Sequence, residues 1–143
     1  MISINDIRIA IQQALDNDYP NIEIYSESIE QGFEVPCFFV KLISSNQDKQ
    51  LNNRYKQSLL FDVHYFSDKE EDLNKDCLDV AVNLYRVLEY VEIKGHKYRS
   101  LKMNHKVVDG VLHFMLKFNY NILKVIEHNK MKELEVNVNG KQR

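Results

Sequence analysis

Two extended runs meet at Asp109-Gly110, "RSLKMNHKVV" (99–108) before it and "VLHFMLKFNYNILK" (111–124) after it. A two-residue Asp-Gly connection between strands favours a type I′ turn, and that turn fixes the pairing register. Val108 then faces Val111 and pairing proceeds outward in step, so Lys106 opposes His113 and Lys102 opposes Lys117. Side chains alternate along a strand, which places Leu101, Met103, Val107, Leu112, Phe114, Leu116, Phe118 and Tyr120 on one face, the core side. Lys102, Asn104, Lys106, His113, Met115 and Lys117 fall on the other. Like charges directly opposed weaken a sheet, so the lysine face calls for a compensating anion.

The rest of the chain supplies partners for this hairpin. Ile4, Ile7, Ile11, Ala14 and Leu15 recur at helical spacing and predict an amphipathic helix over 3–17, with Ser3 as N-cap. Pro20 in "NDYPN" stops it. "IEIYSE" (22–27) reads as a short strand and "PCFFVKLIS" (36–44) as a second one, apolar on both faces and so covered on both. The polar stretch 45–53 reads as a projecting loop. A long strand follows from Arg54 to Phe66, with Leu59, Phe61, Val63 and Tyr65 on one side and Ser58, Leu60, Asp62 and His64 on the other. Ser67 and Glu70 have capping-box spacing ahead of a second helix, whose apolar stripe runs from Leu73 to about residue 90. "VEIKGHKYRS" is a brief extended excursion around Gly95. The order predicts an α+β fold: an antiparallel sheet of about four to five strands with two helices packed on one face. Residues 1–126 form a single domain on this reading, and 127–143 a polar C-terminal tail.

Composition excludes several classes. At 143 residues the chain is one domain by length and long enough for a real core. A net charge of −2, from 19 Lys plus Arg against 21 Asp plus Glu, provides no global field towards nucleic acid or an anionic membrane. Cys37 and Cys77 sit in apolar segments and read as free buried thiols. No run reaches membrane-spanning length and the N-terminus lacks a signal-peptide pattern, so a cytoplasmic protein without membrane contact is expected.

Catalytic and metal chemistry were sought in the same residues. Ser58 and His64 lie roughly 20 Å apart along a regular strand, which excludes a nucleophilic triad. Asp62 and His64, about 6.6 Å apart along the strand, can form a salt bridge, and a small hydrolase using that pair is the weakest alternative. The register separates His105, on the core face, from His113 on the other, so they cannot share a metal. His64, His96 and His128 have no sequence neighbour at metal-ligand spacing. Neither a metal nor another cofactor is therefore expected. No glycine-rich phosphate loop is present.

"EQGFEVPCFFVKLI" (30–43), "RYKQSLLFDVHYF" (54–66) and "VVDGVLHFMLKFNYN" (107–121), in this order and spacing, resemble the tail terminator family of long-tailed bacteriophages and related prophages. The resemblance runs from about residue 3 to residue 125. It implies a non-enzymatic virion structural protein: a homo-oligomeric ring, commonly a hexamer, that caps the tail tube, ends its polymerisation and joins the tail to the head connector. The implied partners are further copies of the chain, the tail tube protein and the head connector protein, with DNA passing through a channel. The implied locations are the host cytoplasm during assembly and then the virion tail. Arg54, Tyr55, Asp62, His64, Lys102, Lys106 and Lys117 are the expected oligomer or partner interface. A head-completion or connector ring is the closest alternative.

Overall fold

The structure, a computed structural model, describes residues 2–26 and 32–125. Its elements follow the order α1 (Ile4–Asp18), β1 (Glu23–Tyr25), β2 (Cys37–Lys49), β3 (Arg54–Phe66), α2 (Leu73–Val87), β4 (Tyr90–Ile93), β5 (His96–Arg99), β6 (Leu101–Val108) and β7 (Val111–Leu123). The main sheet has strand order β1-β2-β3-β7-β6, and β4 and β5 form a separate two-stranded ribbon. The chain divides into two compact units, Met1–Asn46 with Ser58–Asn119 and Gln47–Gln57 with Tyr120–Arg143.

In the first unit the start of α1 and the tight turns follow local chemistry. Ser3 caps α1 with a full capping box: its hydroxyl accepts the Asp6 N–H at 3.1 Å, and the Asp6 carboxylate accepts the Ser3 N–H at 2.9 Å. Two orphan donors are thereby satisfied. At the hairpin turn Asp109 and Gly110 have φ of 51° and 75°, as a type I′ turn requires. Gly110 is needed twice over, since a Cβ there would sit 2.8 Å from Leu73 Cδ2 at the start of α2. The β4–β5 ribbon closes the same way, through Lys94 and Gly95 at φ of 52° and 81°.

The core lies between the sheet and the helices. Phe38 and Val40 from β2, Leu59, Phe61, Val63 and Tyr65 from β3, and Leu112, Phe114, Leu116 and Phe118 from β7 are buried, with Ile7, Ile11 and Leu15 of α1 and Cys77, Ala81 and Leu84 of α2. Alternation in the strands and the 3.6-residue period in the helices produce this face directly. Tyr85 of α2 stacks edge-on against Phe114 with ring centroids 4.8 Å apart, and its hydroxyl is 2.7 Å from Nδ1 of His105, a half-buried histidine on the core-facing side of β6 whose ring is thereby partnered. Asn83 donates to Asp18 at 2.6 Å and Arg86 at 3.0 Å, tying α2 to the end of α1. These two hydrogen bonds, Asn83's first, hold the Asp18 carboxyl below its ordinary range. Cys37 and Cys77 are free and buried. Burial pushes the Cys37 thiol up to about 11 and raises Cys77 as well, so neither has thiolate character.

Several expectations are corrected. The sheet is mixed, because β1 pairs parallel with β2, Glu23 to Cys37 and Tyr25 to Phe39; the intervening segment is long enough to return the chain in the same direction. β2 does not end at residue 44 but continues to Lys49, leaving only residues 50–53 as connection to β3. Polar residues carry no hydrophobic period, so a solvated strand reads as a loop. Coverage of both β2 faces holds for Cys37–Val40 and fails beyond, where Leu42 and Ile43 are exposed. Helix α2 begins at Leu73, with Asp72 as N-cap at φ 60°, and Ser67 does not cap it. The Ser67 and Tyr65 hydroxyls instead donate to Asp76 in the first turn of the helix, a tertiary bond that outcompetes the local cap.

The second unit is described through 47–57 and 120–125. Gln47 Nε2 donates to Gln57 Oε1 at 2.9 Å, and the turn is closed by Arg54 N–H on Leu51 O at 3.1 Å with Asn52 at φ 60°. Asn53 and Lys124 exchange two bonds, side-chain N–H to carbonyl at 2.6 Å and backbone N–H to carbonyl at 2.9 Å. The tail expected at 127–143 lies outside the described residues.

Candidate functional site

The helix-free face of β3 and β7 in the first unit carries a cluster of three side chains able to hold a metal ion, Asp62, His64 and His113. Asp62 and His64 stand two residues apart on β3 and therefore project from one face. β7 is the hydrogen-bonded neighbour of β3, and His113 projects from β7 beside them. His64 Nε2 lies 2.9 Å and His113 Nδ1 3.2 Å from the same oxygen, Asp62 Oδ2. A carboxylate only accepts, so both ring nitrogens donate N–H groups to it. The two imidazole rings meet at a centroid separation of 4.4 Å and an interplanar angle of 66°.

The carboxylate is the buried member of the group. Side-chain exposure is 10% for Asp62, against 15% for His64 and 22% for His113, so the cluster opens to solvent on its imidazole side. Burial raises the Asp62 pKa, but the hydrogen bonds and charges of His64 and His113 together outweigh it, and the net shift is downward. Asp62 Oδ1 is buried and has no hydrogen-bond partner among the described residues. Both imidazole donors converge on one oxygen and leave the other empty.

The neighbours on this face are cationic and aromatic. Lys106 of β6 sits directly across from His113, as the hairpin turn requires. Towards β1 the same side of the sheet is covered by rings: Phe33 packs on Phe39 at 5.4 Å and on Phe66 at 4.9 Å, and Tyr25 lies 5.1 Å from Phe39.

The expected interface residues divide into three sets. Asp62, His64 and Lys106 share the face just described, Lys106 through its pairing with His113. Lys102 and Lys117 are not opposed: a register shift between Leu101 and Asn104 pairs Lys117 with Leu101 and puts Lys102 in the irregularity at φ 42°. The irregularity relieves the like-charge pairing that perfect register would impose, and it leaves Leu101 40% exposed instead of in the core. Arg54 and Tyr55 belong to the second unit, where Lys124 Nζ sits 4.0 Å above the Tyr55 ring in a cation–π contact.

His64 and His113, expected as unrelated surface histidines, are half-buried partners. The sequence contained half of the signal, since both fall on outward-facing positions of their strands. The other half is that β7 lies next to β3, and no local pattern reveals that.

The profile of a family described as "Phage tail terminator protein" matches residues 6–131. No curated protein matches. A solved structure with 13% identity, covering 89% of this chain and all of its own, superposes at a TM-score of 0.41, too loose a likeness to carry an argument.

Proposed function

The chain belongs to the phage tail terminator family, and from that premise we propose that it acts as a ring-forming collar that caps the tail tube, stops its growth and joins the tail to the head connector. The observation that carries this reading is the family match across 126 of the 143 residues, which spans all but the first two residues of α1, the whole of α2 and every strand of the sheet. The family is one of virion structural proteins, and a structural role without turnover is the reading for this chain. Assembly takes place in the host cytoplasm and the product resides in the virion tail.

On this reading the chain meets further copies of itself, all in equivalent positions because a closed ring of identical subunits uses one surface pair throughout, together with the tail tube protein on one side and the connector on the other. Six copies is the proposed number. On β6 the exposed apolar residues Leu101 and Val108 lie beside the exposed cations Lys102 and Lys106 in sequence, and apolar anchors with charged neighbours suit a subunit interface. Repeated around a symmetry axis, the lysines form a basic belt for acidic subunit edges or for DNA in a channel. Arg54, Tyr55, Asp62 and His64 are the remaining proposed contact residues.

The test is direct. Light scattering and negative-stain microscopy of the purified chain, alone and with tube protein, should show rings. Deleting the gene should give tails of uncontrolled length. Normal-length tails that stay detached from heads would instead mark a connector and overturn the terminator reading. Lys102→Glu with Lys117→Glu should impair assembly, and unchanged assembly removes the lysines from the interface.

A further inference from the structure

We propose that Asp62, His64 and His113 form a binding site for a divalent transition-metal ion of the zinc class, with Asp62 Oδ2, His64 Nε2 and His113 Nδ1 as the protein ligands. The three ligand atoms all lie within 4.8 Å of one another, and two of their separations are 2.9 and 3.2 Å. Tetrahedral zinc, with bonds of about 2.0–2.1 Å, needs neighbouring ligand atoms about 3.3–3.4 Å apart. The carboxylate-to-imidazole edges therefore need to open by only a few tenths of an ångström.

The donor set selects the ion. Two imidazoles and one carboxylate suit zinc and its neighbours in the first transition row, whereas calcium and magnesium require shells of oxygen. Binding exchanges the two N–H···O bonds for nitrogen–metal bonds. The nitrogen that holds the metal carries no proton, so the proton of each bound ring sits on the other nitrogen, Nδ1 of His64 and Nε2 of His113.

A second observation points the same way. Hydrogen bonding alone is best served by one N–H on each carboxylate oxygen, yet both donors converge on Oδ2 while the buried Oδ1 has none. A buried carboxylate oxygen without a partner is costly, and a cation beside the carboxylate compensates it. The fourth position faces the solvent side, where His64 and His113 keep 15% and 22% exposure, so a water completes the shell. Lys106 opposes a cation here, but it is exposed and its field is screened by salt. The ion would cross-link β7 to β3, the central strand of the sheet.

The experiment uses the full chain, stripped with chelator and titrated with Zn²⁺ by calorimetry, with Mg²⁺ as the contrasting ion. One saturable Zn²⁺ site per chain is expected, with a rise in melting temperature that EDTA reverses and no response to Mg²⁺. His64→Gln and His113→Gln should each weaken Zn²⁺ by at least about 100-fold, more than the loss of a group behind the ligands costs. His96→Gln, on the exposed β5 strand, should bind as wild type. Circular dichroism confirms that the variants fold, and Asp62→Asn, which keeps the side-chain shape, serves if either histidine variant does not. No saturable site in the wild-type chain, or wild-type affinity in the folded ligand variants, overturns the proposal. Rings that form without binding Zn²⁺ would overturn the site and leave the terminator reading intact.

Discussion

The two faces of β3 are built from the same strand and teach different things. Leu59, Phe61, Val63 and Tyr65 point to the helices and are all buried, while Ser58, Leu60 and His64 on the opposite side stay partly exposed and only Asp62 among those four is buried. The inner face is held by apolar area, which any close-packed neighbour satisfies. The outer face is held by directed hydrogen bonds, which only one neighbour satisfies: His113 on β7. Stability and chemistry are therefore separated by the pleat of a single strand.

The contrast can be broken from the inside first. Phe61→Ala empties a site that is 0% exposed and should cost about 3–5 kcal/mol in urea unfolding. On the outer face Asp62→Ala removes the acceptor of two imidazole N–H groups and should cost about 2–3 kcal/mol at neutral pH. The pH dependence sharpens this. The Asp62 pKa is lower in the folded chain than its ordinary 3.8. The ionised carboxylate therefore contributes stability that is fully present above about pH 4 and lost as the pH falls through the folded value. The difference in unfolding free energy between wild type and Asp62→Asn should shrink on acidification below about pH 4; a gap that widens there contradicts the assigned shift.

Tyr65→Phe tests a polar bond anchored on the inner face. It deletes the 2.8 Å bond to Asp76 and should cost about 1–2 kcal/mol, with α2 showing faster amide exchange near its start. Lys106→Gln on the outer face should move stability by less than about 0.5 kcal/mol, towards greater stability, because it removes the cation opposed to His113. A loss of more than 1 kcal/mol would mean that Lys106 has an anionic partner within the folded chain.

Much of the fold was legible because its signals are local. The Ser3 cap with α1, the Asp109-Gly110 turn with its Val108–Val111 pairing, and the alternation of β3 all operate within a few residues. The misreadings have particular causes. Residues 45–49 of β2 are polar, so nothing in their pattern distinguishes a solvated strand from a loop. Ser67 had the spacing of a cap, but Asp76 took its hydroxyl. The register at Lys102 was extrapolated from the turn seven residues away, and a bulge can enter a hairpin without any glycine to announce it.

The sequence by itself determined which residues of β3 and β7 in the first unit face inward, where α1 begins and where the β6–β7 hairpin turns, since helix caps, turn chemistry and side-chain period act over one or two turns of chain. Only the tertiary structure decided that Asp62 and His64 meet His113, because strand order joins positions 51 residues apart through backbone hydrogen bonds that are the same for every side chain.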